Sequence, residues 1–258
     1  MKYLFSLIML LLSYNSLAAP EAKLWPFWDA SNEQSSASIS HEQWQQILDS
    51  YLIESDSQTL FQYAKVTDVD KQNLQNYLSE LSSLDPRHFN RAEQYAYWVN
   101  LYNALTVNLI LENYPLKSIT KLGGLFSFGP WGDNIVVINS KKLTLNDIEH
   151  RILRPIWQDP RTHYAVNCAS LGCPNLQSKV FTAENTQQLL DKSAADFINS
   201  VKGAEMQKEG VQLSSIYDWF NNDFGDNKAL FQHLAKYRSD LNNYSGEISF
   251  DYDWRLNE

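Results

Sequence analysis

The sequence predicts an α+β fold, a mostly helical single domain with a small β-sheet, and three observations predict it. Apolar residues recur at helical spacing through the middle of the chain, most clearly over 91–113. Only short runs, β-branched at 135–138 and alternating at 248–254, read as strands. The chain has 258 residues, 44% hydrophobic and 20% charged, which is long enough and apolar enough to bury a core without disulfide staples.

The elements follow in order. Residues 1–18 read as a signal peptide: Lys2 is the positive end, 3–12 an apolar run, and Ser16-Leu17-Ala18 the small residues a signal peptidase needs. That run is too short to remain as a membrane anchor. Residues 19–40 read as a linker whose aromatic cluster, Leu24-Trp25-Pro26-Phe27-Trp28, is placed to dock on the domain. The single α+β domain then spans 41–258. Ser40 caps a helix over 41–53 with Trp44, Ile47, Leu48 and Tyr51 on one face, and a second helix covers 68–83 until Asp85-Pro86 stops it. Asn90 with Glu93 outlines a capping box for the helix over 91–113. A glycine-rich loop at 121–133 carries Phe126, Phe128 and Trp131. Residues 135–138 and 141–143 form a short strand pair, and Thr144 caps a helix over 145–154 that Pro155 helps to end. The segment 163–167 reads as a buried strand, followed by helices at 184–200, 214–223 and 228–238.

Charge and cysteine count exclude several functions. A formal net charge of −9 leaves no basic excess to displace counterions, so no nucleic acid partner is expected. Two cysteines exclude a disulfide-rich scaffold. An exported protein, periplasmic or secreted, with no stable membrane anchor after cleavage is expected, in an oxidising compartment.

Three segments concentrate reactive side chains. On the long helix, Asn100 and Asn103 share a face and interrupt an apolar stripe. Each is either a structural amide tying the helix to a neighbouring loop or a donor to an oxyanion. In 147–154, Glu149 lies beside inward positions, and His150 and Arg154 share a face; a histidine is the usual general base near neutral pH. In 159–174, a buried run leads into Cys168 at a turn of small residues, with Arg161 and His163 before it and Cys173 after it. The two cysteines admit a disulfide closed through a short loop, a thiolate nucleophile at Cys168, or zinc held with a histidine, although the spacing matches no common zinc pattern. No metal and no cofactor are expected.

Three motifs in this order carry a resemblance. They are Tyr97-Trp98-Val99-Asn100-Leu101-Tyr102-Asn103-Ala104, then Ile148-Glu149-His150-Arg151-Ile152-Leu153-Arg154, then 159–170 ending in Asn167-Cys168-Ala169-Ser170, with Gly172-Cys173-Pro174 after it. Over about 85–205 the chain resembles the family catalogued as domain of unknown function 547, known in exported bacterial proteins and in plants and without a firmly assigned activity. The resemblance adds weight to Asn100, Asn103, Glu149, His150, Arg154, Arg161, His163, Cys168 and Cys173, and it keeps the cysteines as a pair. Asn167-Cys168 after a histidine-bearing segment is also loosely like the order of permuted papain-like thiol enzymes, an analogy of fold only.

Two functional expectations result. The first is a thiol-dependent acyl transferase or amide hydrolase with Cys168 as nucleophile, His150 as base, Glu149 orienting the histidine and Asn103 supporting the oxyanion. The second is a non-catalytic periplasmic binding module. There a Cys168–Cys173 disulfide staples the loop, while Asn100, Arg154, Arg161 and His163 serve an anionic small-molecule or peptide ligand or a protein partner. The aromatic loop at 126–131 is placed to cover the pocket. A carbohydrate enzyme is weaker, because no carboxylate pair stands out by spacing.

Overall fold

A computed structural model describes residues 20–55, 57–124 and 128–258. The expected signal peptide and Phe126 lie outside the described residues. The mixed, predominantly helical α+β class is what the chain adopts, with three small sheets among the described residues.

Three helices build the first core: α1 (Glu42–Tyr51), α2 (Asp68–Ser83) and α3 (Arg91–Asn113). Between α1 and α2 lies a hairpin the periodicity does not reveal, β1 (Leu52–Ser55), largely exposed, with β2 (Gln58–Phe61), half-buried and ending in the buried Phe61. Helix α1 starts one residue later than expected: His41 occupies the cap, and its Nδ1 is 2.6 Å from the Tyr77 hydroxyl. Helix α2 is capped by Thr67, whose hydroxyl accepts from Asp70 N at 3.1 Å. Asn90 caps α3, its Oδ1 accepting from Glu93 N at 2.9 Å, but only half of the expected box forms. The Glu93 carboxylate accepts instead from Ile39 N at 2.6 Å. Helix α3 is buried all round from Glu93 to Val107, which is why its two asparagines need partners inside the protein.

The expected linker follows a packed path. Trp28 is buried at 1% exposure and meets Trp98 edge to face at 5.2 Å, and Asn90 Nδ2 donates to Ser35 O at 3.1 Å. This docking has a cause in the sequence. After the strand pair β3 (Val136–Ile138) and β4 (Lys141–Leu143), residues Asp147–Leu153 form a π-helix, not the α-helix that periodicity suggests. It continues into α4 (Arg154–Trp157) and ends at Gln158 in the left-handed region, φ 51. Pro155 does not end the helix. It has no N–H to offer the carbonyls of His150 and Arg151 one turn back. Lys23 N and Trp25 N donate to those two carbonyls, both at 2.9 Å. The 20–28 segment thereby becomes a strap over the π-helix.

The segment 163–167, expected as a strand, is corrected: Thr162–Ala165 is a short helix, α5, and the chain extends only from Val166. Asp159 starts that turn, its side chain accepting from Arg161 N and its carbonyl from Thr162 N. A short apolar run is buried in either conformation, so periodicity alone does not separate the two. Beyond it, α6 (Thr186–Ile198), α7 (Ile216–Trp219), α8 (Asn221–Phe224) and α9 (Asn227–Ala235) build a second core. They pack with a sheet of order β5 (Ala204–Gln207), β6 (Gly210–Ser214), β7 (Glu247–Asp251). Strand β6 pairs antiparallel with β5 and parallel with β7. Among the described residues, no helix is long and apolar enough to cross a membrane.

Because Trp28 fills the first core from the strap, Trp28→Ala is expected to cost ~3–5 kcal/mol. Urea denaturation followed by circular dichroism measures it; a loss below 1 kcal/mol would mean that the strap is only draped on the surface.

Candidate functional site

A cavity of about 580 Å³ opens where the two cores meet. Its floor is the segment leaving α5, its polar wall the π-helix with His163, and its opposite wall the aromatic residues of α7 and the C-terminal segment. Glu149, His150, His163, Cys168 and Cys173 all line it, drawn together from separate stretches of chain.

The floor is positioned by two asparagines. Asn103 Nδ2 donates to Ala165 O at 2.9 Å, and its Oδ1 accepts from Asn167 N at 2.8 Å. Asn167 then accepts from Ala169 N at 2.9 Å and donates to Pro174 O at 2.7 Å, holding both ends of the cysteine loop. Asn103, expected to support an oxyanion, is seen here positioning the floor, with its Oδ1 and one Nδ2–H engaged by backbone. Asn100 is likewise taken up, donating to Phe181 O at 2.7 Å and accepting from Phe181 N at 3.1 Å. The C-terminal segment braces the loop from outside, with Leu171 N donating to Arg255 O and Gly172 N to Asp253 O, both at 2.8 Å. A Cβ at Gly172 would lie 2.7 Å from Asp253 N, so only glycine permits this approach. Ala169, directly after Cys168, sits at φ 58, a left-handed conformation unfavourable for alanine and held by these bonds.

Cys168 and Cys173 are free thiols, the first half-buried and the second buried. Cys168 N donates to Cys173 Sγ at 2.8 Å. Cys168 Sγ lies 3.1 Å from Ser170 Oγ and 3.0 Å from the Tyr252 hydroxyl, which are themselves 3.1 Å apart. Burial works against a thiolate at Cys168, but bonds from Cys173, Ser170 and Tyr252 outweigh it and hold its pKa below the ordinary thiol value. Burial and the neighbouring Cys168 push Cys173 well up, so one sulfur is primed to ionise and the other to stay protonated.

The polar wall is a chain of charge partners. Asp223 Oδ2 accepts from Arg154 Nε at 2.5 Å and from His163 Nε2 at 2.7 Å. Burial disfavours that carboxylate, yet the bonds from His163 and Arg154 hold its pKa well below the usual range. Arg154 also donates to Pro20 O at 2.7 Å and to His150 Nδ1 at 2.9 Å. Since a guanidinium only donates, His150 Nδ1 must be bare and its proton must sit on Nε2. Burial first, and Arg154 after it, lower the His150 pKa to about 4 against the pull of Glu149. His150 thus presents a neutral ring whose Nδ1 is taken up by Arg154, and among the described residues no hydrogen bond joins it to Cys168. Glu149 accepts from Tyr102 OH at 3.1 Å. Its other oxygen lies 3.7 Å from His163 Nδ1 and 3.9 Å from His150 Nδ1, and the bare His150 Nδ1 offers it no proton.

Arg161 stands apart from the cavity, paired with Asp159 at 2.6 Å and with Asp191 at 2.8 Å. The expected aromatic cover is present in Phe128 and Trp131, which line the cavity. Sequence reasoning missed Asp223, Tyr252, Tyr102 and Asn167 as members of the site. The alternation at 248–254 marks Tyr252 as inward but says nothing of its hydroxyl, and Asp223 carries no local signal at all. Among the described residues, no group of three or more His, Cys, Asp and Glu is arranged to hold a metal ion.

The fold and cavity define an α+β protein with a paired-cysteine site. Residues 86–198, just under half of the chain, match the model of the family described as a protein of unknown function, DUF547. No curated protein and no solved structure matches the chain.

Removing the charge of Asp223 leaves Arg154 buried without its counter-ion, so Asp223→Asn is expected to lower stability by ~3–5 kcal/mol. Adding Arg154→Met to it should restore part of that loss, and a double-mutant cycle by urea titration reads the coupling. The acid range gives a second test. His41, His150 and His233 are each lowered by burial to about 4. Between pH 6.5 and 4 the unfolded chain binds protons that the folded chain refuses, so stability falls as pH falls through that window. The upper bound is ~3 kcal/mol per histidine. A Tm series from pH 7 to 4 that stays flat would contradict the buried neutral state of these rings.

Proposed function

We propose that this chain is an exported thiol-dependent enzyme of the acyl-transfer or amide-hydrolysis class, with Cys168 as nucleophile. The observation that carries the reading is a thiol in contact with the Ser170 and Tyr252 hydroxyls that lines one cavity together with His163, itself bonded to the Asp223 carboxylate. In this reading the Cys168 thiolate attacks the substrate carbonyl, forming a C–S bond while the carbonyl π electrons move to oxygen. The Tyr252 hydroxyl and His150 Nε2–H stabilise that oxyanion. His163, oriented by Asp223, protonates the leaving amine or alcohol as the tetrahedral centre collapses to a thioester. Water or an acceptor nucleophile then releases the acyl group and returns the proton to His163. Asn103 and Asn167 act through the backbone by fixing where the sulfur stands.

A second reading has its own observation, the contact of Cys168 N with Cys173 Sγ. Oxidation of this pair to a disulfide gives a stapled, non-catalytic binding module with a small-molecule, peptide or protein partner. Its anionic form has weaker support, since both candidate arginines are already paired with carboxylates.

Iodoacetamide labelling with mass spectrometry separates the two. The enzyme reading expects Cys168 to label before reduction, faster than a free thiol at pH 7. It also expects Tyr252→Phe to raise the apparent pKa of that labelling by about one unit and Cys168→Ala to abolish ester or amide turnover. Labelling of either cysteine only after reduction would leave the binding module standing in its place.

A further inference from the structure

The two faces of the cavity differ, and the difference bears on what it accepts. One wall is aromatic: Trp219 and Trp254 stack at 5.6 Å with 24° between planes, and Trp131 meets Trp254 at 5.7 Å. Phe128 extends the wall beside Trp131 at 6.3 Å. All three indoles are half-buried, so they are only partly covered by protein. The other wall bears the Glu149 carboxylate. Among the described residues that line the cavity, none is a lysine or an arginine. The nearby cations are spent elsewhere: Arg154 on Asp223, and Lys202 on Asn175 Oδ1 at 2.7 Å, outside the lining. A carboxylate ligand would therefore meet Glu149 with no lysine or arginine in the lining and with His163 already paired to Asp223, against the field of a chain with net charge −9. A flat apolar body gains stacking area on the indole wall, and a cation gains the ring faces together with Glu149.

We infer that the cavity takes neutral or cationic acyl compounds with an aromatic or similarly flat apolar body, and that it rejects their carboxylate counterparts. The inference rests on the acyl-transfer reading for the word acyl, but not for the selectivity, which belongs to the walls. Binding is therefore measured on full-length mature Cys168→Ala protein, where no chemistry occurs. Calorimetric titration uses three probes: N-acetyl-phenylalaninamide, N-acetyl-phenylalanine and phenethylammonium. The amide and the ammonium are expected to bind at least tenfold tighter than the acid. Glu149→Gln, which keeps the acceptor for Tyr102, should narrow the gap between amide and acid and weaken the ammonium. Trp254→Ala should weaken the amide and the ammonium alike. Equal affinity for acid and amide, or binding by none of the three, overturns the inference. Turnover of aryl esters and amides by the wild-type protein is scored separately. Selectivity without turnover removes the enzyme reading and keeps the inference; turnover without selectivity does the reverse.

Discussion

The Arg154–Asp223 ion pair is the constraint around which the site is arranged. Arg154 is 5% exposed, and a buried guanidinium without a counter-ion is not tolerated. Its partner comes from α8, sixty-nine residues further along the chain, so neutralising the charge ties the π-helix to the second core. The same carboxylate also accepts a hydrogen bond from His163 Nε2, and the same guanidinium donates to the Pro20 carbonyl and His150 Nδ1. One buried pair thus sets the tautomer of one histidine, the orientation of another and the path of the strap.

The cysteine loop is held by a different kind of force. Asn103 and Asn167 place four neutral hydrogen bonds on backbone groups that would otherwise be buried unpaired, each worth about 1 kcal/mol net but expensive to leave unmade. Their effect is geometric. They keep Ala169 in a conformation it does not favour and so aim Cys168 at the cavity, while the C-terminal segment contributes the Tyr252 hydroxyl. Polarity at this site is supplied in two layers, with charge in the histidine wall and neutral donors around the sulfur. Among the described residues, the Cys168 sulfur is bonded to hydroxyls and to no cation.

Much of the helical frame was legible in the chain. The second and third helices follow from apolar spacing, from Asp85-Pro86 at the end of one and from Asn90 at the start of the other, whereas the Thr67 cap emerged only from the structure. The strand pair at 136–143 follows from β-branched residues and from Asn139-Ser140, both of which take positive φ in the turn. The second and third motifs also meet in space, since Glu149, His150, His163, Cys168 and Cys173 line one cavity. What spacing could not give was role. Asn103 and Arg154 look like functional side chains in sequence, and their partners turn them inward to the backbone and to Asp223. The segment 163–167 reads as buried whether it is strand or helix, and only the Asp159 turn makes it helical at first.

By itself the sequence determined the local frame, the net charge, and the concentration of reactive groups in three motifs. Those are properties of periodicity, capping and composition, which act over a few residues. Only the tertiary structure decided which nitrogen of His150 carries its proton, which histidine has a carboxylate behind it, and which hydroxyls face Cys168. Those depend on Arg154, Asp223 and Tyr252, groups brought within 3 Å of their partners by packing across the two cores, and no local pattern encodes such a meeting.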